Sequence, residues 1–138
     1  MAIRLEQLHP SLVHLPIALL PLAIGTDLLG TITGRRSIHA FGRGAIAMAA
    51  VGAALSAVTG LIASEEVNVE GASRDKLMTH RNLNAVATIV ASAMAVWRAR
   101  HGAPTAAYFG VGILGMSVLA YTSYLGGQLV YEFGVGVG

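Results

Sequence analysis

The sequence predicts an all-α protein, a four-helix transmembrane bundle of up-down-up-down topology with both termini on the outer, periplasmic side. Three observations carry this. Of 138 residues, 54% are hydrophobic and only 12% are charged, where a soluble domain carries roughly a quarter charged residues. Four apolar stretches follow one another, most of them near the roughly 20 residues that a helix needs to cross the hydrocarbon. The few Lys and Arg residues gather at the joints between those stretches, where loop cations set orientation.

The first stretch runs from Ser11 to about Thr33, giving a helix over about 10–33. Pro10 suits a first helical turn, where its missing N–H has no partner to lose. Pro16 and Pro21 lie further in and free the carbonyls of Leu12 and Ile17, so a kinked, locally polar helix is expected. The second stretch, Ala40 to Ala63, gives a helix over about 40–63. Its small residues Ala45, Ala49, Ala53 and Ala57 recur every fourth position, the spacing that lets membrane helices approach closely.

The third stretch, Leu83 to Trp97, is shorter than a span, but a start near Ser73 and Asp75, which suit a helix N-terminus, extends it to about 74–99. Trp97 closes it at the opposite interface. The fourth, Thr105 to about Gly126, gives a helix over about 104–128, with Tyr121, Tyr124 and Tyr131 as an interfacial aromatic belt. The joints are a basic turn at Gly34-Arg35-Arg36, an acidic loop from Ser64 to Thr79, and a short turn from Arg100 to Pro104. Together they make one membrane domain over 1–138 of a multi-pass protein.

Orientation follows from the cations. Arg35, Arg36, Arg43, Arg98 and Arg100 stand on one side without an acid among them. Arg4, Arg74, Lys76 and Arg81 stand on the other, mixed with Glu6, Glu65, Glu66, Glu70, Asp75 and Glu132. The first group is placed inside. A cleaved secretory signal is not expected, because residues 1–10 lack a clustered basic region and Pro16 and Pro21 interrupt the apolar run.

The composition also excludes chemistry. The chain has no cysteine, which rules out a disulfide scaffold, a thiolate zinc site, an iron–sulfur cluster and a covalently attached haem. Nine basic residues and a net charge of +2 are too few to line a nucleic acid, despite an isoelectric point near 9.4. A cofactor would have to be held by histidine, carboxylate or packing.

Histidine is therefore where the sequence points. The run His9-Pro10-Ser11-Leu12-Val13-His14-Leu15-Pro16 opens the first helix, and Thr79-His80-Arg81-Asn82 opens the third. Both helices run inward, so His14 and His80 reach comparable depths, roughly 11 Å and 15 Å from the apolar centres by helical rise. His9 lies a similar distance above His14, so depth alone leaves open which of the two faces His80. Asn84, one turn after His80, shares its face and is placed to orient the imidazole.

Converging imidazoles in a bundle suggest haem b held by two axial histidines, His14 and His80 with His9 as the alternative, in a cytochrome-like module that passes electrons and transforms no substrate. Zinc or copper on His9, His14 and His80 is the second reading. A non-catalytic membrane assembly subunit, whose glycine and alanine stripes bind a partner, is the third; the lipid bilayer and a redox partner or a second copy are the expected partners. His39 and His101 lie in the basic turns and are expected to be solvated. Asp27, the one acid inside an apolar stretch, sits roughly 20 Å from His14, with Arg35, Arg36 or Arg43 as the expected partner.

The opening His-Pro-x-x-Val-His-x-Pro, Asp27 in the same helix, His80, and the closing Gly-Gly-x-Leu-Val-Tyr-x-x-Gly-Val-Gly-Val resemble the bacterial membrane family known as domain of unknown function 2231. The resemblance covers nearly the whole chain, and Leu15 stands where the family more often has phenylalanine. It implies a four-helix inner-membrane protein and no particular activity.

Overall fold

The computed structural model describes residues 5–135. Arg4 of the charge count and Gly136 and Val137 of the closing motif lie outside the described residues, as do the side chains of Glu6 and Glu66. The architecture is all-helical, with helices α1 (Leu5–Leu12), α2 (His14–Thr33), α3 (Arg36–Glu66), α4 (Ala72–Arg100) and α5 (Ala106–Tyr131). The first two form one rod broken at Val13. Three apolar segments, His9–Thr33, Arg36–Glu65 and Ala106–Tyr131, are long and apolar enough to cross a membrane.

The kink lies where proline chemistry puts it. The Pro16 ring crowds the Leu12 carbonyl and leaves it without an N–H partner, and α1 ends at Leu12. Bonds from Val13 N to the His9 carbonyl, 3.1 Å, and from Ile17 N to the Val13 carbonyl, 3.4 Å, carry the chain through the break. The helix also starts earlier than expected, at Leu5, so Pro10 sits inside α1. Past the break, α1 lies against α3 more than against α2.

At the other end, α2 stops at Gly34, whose φ of 67° is left-handed, the usual glycine helix stop. Helix α4 starts after Gly71 with Asp75 in its first turn. Ser73 Oγ donates to the Glu70 carbonyl at 2.8 Å and so does not serve as the expected cap. Thr105 Oγ1 accepts from Tyr108 N at 3.2 Å and starts α5.

Helix α2 packs on α3, α3 on α4 and α4 on α5, while α2 and α5 touch lightly. The core holds Leu20, Ala23 and Ile24 of α2, Ile46 and Ala49 of α3, Met94 of α4 and Leu119 of α5. Small residues set the closeness of approach, as in membrane helix packing generally. A Cβ on Gly52 would lie 2.6 Å from Leu15 Cβ, and one on Gly112 would lie 2.8 Å from Ile24 Cδ1. Large apolar side chains such as Ile32, Met48, Ile89 and Leu114 face outward, as a lipid-facing surface requires.

Candidate functional site

The break at Val13 turns α1 so that His9 lies over α3, and His80 is carried on the third turn of α4. Their rings meet at 6.4 Å between centroids, nearly perpendicular at 88°. The sequence left open whether His9 or His14 faces His80; in the structure it is His9. His14, the first residue of α2, is exposed but lines the same cavity.

Each imidazole of the pair is fixed by a backbone carbonyl. His9 Nδ1–H donates to the Ser56 carbonyl at 2.9 Å, and His80 Nδ1–H donates to the Thr122 carbonyl at 2.8 Å. A carbonyl only accepts, so the proton sits on Nδ1 and the lone pair on Nε2 in both rings. Asn84 Nδ2 donates to His80 Nε2 at 2.9 Å, and Thr122 Oγ1 donates to the His80 carbonyl at 3.2 Å.

Glycines make room for both rings. A Cβ on Gly60 of α3 would lie 2.8 Å from His9 Cε1, and one on Gly126 of α5 would lie 3.0 Å from His80 Cε1. The Gly126-Gly127 pair of the closing motif thus admits an imidazole to the α4–α5 seam at Gly126, while a side chain at Gly127 would meet nothing.

The histidines line a cavity of about 730 Å³ that reaches the bundle end at Val67 and Val135 and draws its walls from every helix. Ligand sites typically fall between about 300 and 1,000 Å³. Ser56 Oγ, buried and without a protein partner, lines this cavity and a smaller space of about 30 Å³ below it, which Asn84 and Thr88 also line. Among the described residues, no three His, Cys, Asp or Glu side chains converge as a metal-binding group.

The opposite end of the bundle holds a second polar cluster, and here the structure corrects the sequence. The partner of Asp27 is Arg98 of α4, in place of Arg35, Arg36 or Arg43. Arg98 Nε donates to Asp27 Oδ2 and its Nη2 donates to Oδ1, both at 2.8 Å. Its remaining N–H groups reach the carbonyls of His101, Gly102 and His39 at 3.1–3.2 Å. All five guanidinium donors are therefore used, and Asp27 and Arg98 are 0% and 1% exposed. The signal was hidden because the two residues are 71 positions apart and Arg98 reads as one more loop cation.

His39 is likewise not solvated. Its Nδ1 lies 3.4 Å from Asp27 Oδ1, and its ring fills the space over Gly30, where a Cβ would come within 2.9 Å. Gly42 leaves room for the carboxylate itself, since a Cβ there would lie 2.6 Å from Asp27 Oδ1. His101, exposed, stacks on Trp97 at 4.6 Å. At this end Asp27 and all five guanidinium donors of Arg98 are bonded in an ionic clasp, whereas the histidine end opens onto a cavity.

A family model described as predicted membrane protein, DUF2231, matches residues 6–138. The chain belongs to that family. No curated protein and no solved structure matches it. Both end motifs that carry the resemblance meet at the cavity: His9 and His14 come from the first, Gly126, Gly127 and Tyr131 from the last, and His80 faces them from α4.

Proposed function

We propose that this family member is a four-span inner-membrane protein that binds haem b between His9 and His80 and serves electron transfer. The observation that carries the reading is the imidazole pair itself. The two rings come from different helices, lie 6.4 Å apart between centroids and line one cavity, so His9 and His80 are the residues that would hold the group. Both rings keep their Nδ1 proton on a carbonyl, the outer hydrogen bond that orients metal-ligating histidines and makes Nε2 the donor atom.

The donor set and the cavity fit that group. His9 and His80 would hold the iron, and Asn84 would turn its amide from His80 Nε2 to release the lone pair. Bound iron would supply one-electron redox chemistry. The chain's own part is to fix the two tautomers, to seat the rings on Gly60 and Gly126, and to exclude water with the apolar walls. Zinc or copper is the less supported alternative, because structural zinc takes four ligands and only two imidazoles are paired here.

Orientation belongs to the same proposal. With Arg98 buried, the cations Arg35, Arg36, Arg43 and Arg100 remain at the clasp end with no acid beside them in the turns. Arg74, Lys76 and Arg81 lie at the cavity end amid Glu65, Glu70, Asp75 and Glu132. The positive end faces the cytoplasm, which places the cavity and the termini outside. Helix α4 is the fourth span, with its charged first turns beyond the lipid and its remainder flanked by α3 and α5.

The test is an absorption spectrum of the detergent-solubilised protein after expression with ample haem. The expected result is a Soret band that sharpens on reduction and is lost in His9→Ala and His80→Ala. No Soret band in the folded wild type, before and after reconstitution, overturns the reading.

A further inference from the structure

The described wall of the cavity includes one cation. Among the described residues that line it, Arg81 is the single ionised side chain, and no Asp or Glu contributes to its wall. The other polar groups there are three imidazoles, the amides of Asn82 and Asn84, and the hydroxyls of Ser56, Ser64, Ser123 and Tyr131.

Arg81 is the cation that reaches this cavity, and two other cations of the bundle are already engaged. Arg98 is consumed by Asp27, and Lys76 pairs with Glu132 at 3.0 Å while lying over the Phe133 ring. Arg81, half-buried on the turn that carries His80, has no hydrogen bond or ion pair to another described residue. A guanidinium held in a partly apolar wall without a carboxylate favours an anion. Its planar fork suits an oxyanion with two oxygens.

We propose that Arg81 is an anion subsite at the rim of the cavity, selecting a ligand with an apolar body and a carboxylate or phosphate at its edge. The apolar body occupies the space beside His9 and His80, and the anion is held by the Arg81 guanidinium, with the Asn82 amide at hand as a second donor. This rests on the cavity being a ligand site. On the haem reading the anion is a carboxylate of the porphyrin, and otherwise it is the phosphate of a lipid headgroup.

The experiment compares the purified full chain, wild type and Arg81→Gln, with Arg81→Lys as the charge-retaining control. Each is titrated with iron protoporphyrin IX and with its dimethyl ester, which keeps the ring and removes both charges. The wild type should bind the diacid roughly tenfold to a hundredfold more tightly than the ester, the range of a charge-assisted bond. Arg81→Gln should lose that preference, and Arg81→Lys should keep part of it.

A second arm measures retention of phosphatidylglycerol against phosphatidylcholine by native mass spectrometry. Porphyrin binding in which Arg81→Gln leaves the acid-over-ester preference unchanged overturns the proposal and spares the haem reading. No porphyrin binding, with phosphatidylglycerol retained by wild type and lost in Arg81→Gln, overturns haem and keeps the subsite with lipid as its source. Neither ligand sensitive to Arg81 overturns the subsite outright.

Discussion

Replacing Arg98 by methionine tests the clasp between α2 and α4. The change removes two 2.8 Å bonds to Asp27 and three to backbone carbonyls, and leaves a carboxylate that is 0% exposed with His39 Nδ1 at 3.4 Å and no full cation to replace Arg98 among the described residues around it. Breaking a buried pair from one side costs about 3–5 kcal/mol, since the remaining charge has lost its partner and cannot regain water. Asp27→Leu alone should cost a similar amount by stranding the guanidinium. The double variant Asp27→Leu/Arg98→Met strands no charge and should lie within about 2 kcal/mol of wild type, because apolar replacement of a whole buried pair is often neutral. The coupling energy from the cycle should therefore exceed about 2 kcal/mol. Equilibrium unfolding in mixed detergent with a denaturing surfactant, followed by circular dichroism, supplies the four stabilities. Single-variant losses that add to give the double within about 0.5 kcal/mol would refute the claim that charge pairing holds the two helices.

Other outcomes follow from particular contacts. Gly42→Ala should lower stability by about 1–3 kcal/mol, because its Cβ would meet Asp27 Oδ1 at 2.6 Å and Arg98 prevents the carboxylate from retreating; an unchanged melting temperature would contradict this. Gly60→Val should displace the His9 ring, which its Cβ approaches at 2.8 Å, and should shift or abolish any Soret band while far-ultraviolet dichroism stays helical. Glu132, whose carboxyl is held below its usual range by the Lys76 hydrogen bond, ties the end of α5 to α4. A depressed folded-state value means the tie is present above the ordinary glutamate range and is lost as pH falls through the lowered value, so amide exchange at Tyr131–Phe133 should lose protection there, and Lys76→Met should remove that pH dependence. Single cysteines at Gly71 and Gly102, placed in a chain with no native cysteine, should react with an impermeant maleimide in intact cells at Gly71 alone; labelling at Gly102 alone would invert the proposed orientation.

The helices were legible because lipid imposes composition and length on a spanning segment, and both are local properties of the sequence. The prolines signalled the break, and the i,i+4 spacing placed Asn84 beside His80. The paired residues were not legible. Depth ranks His9 and His14 almost equally, and only the turn taken at Val13, which sends α1 over α3, decides that His9 meets His80. Asp27 had three nearer arginines in sequence, yet Arg98 reaches it because α4 ends level with the C-terminal half of α2 and can surround its guanidinium with carbonyls.

By itself the sequence determined that this chain is a membrane protein and that it is helical, because those conclusions depend on residue types and their spacing. The tertiary structure decided which side chains share a site, which cation is consumed in a clasp and which lines a cavity. Those outcomes depend on the rotation of each helix about its axis and on the glycines that let it approach its neighbours, and neither is fixed by local pattern.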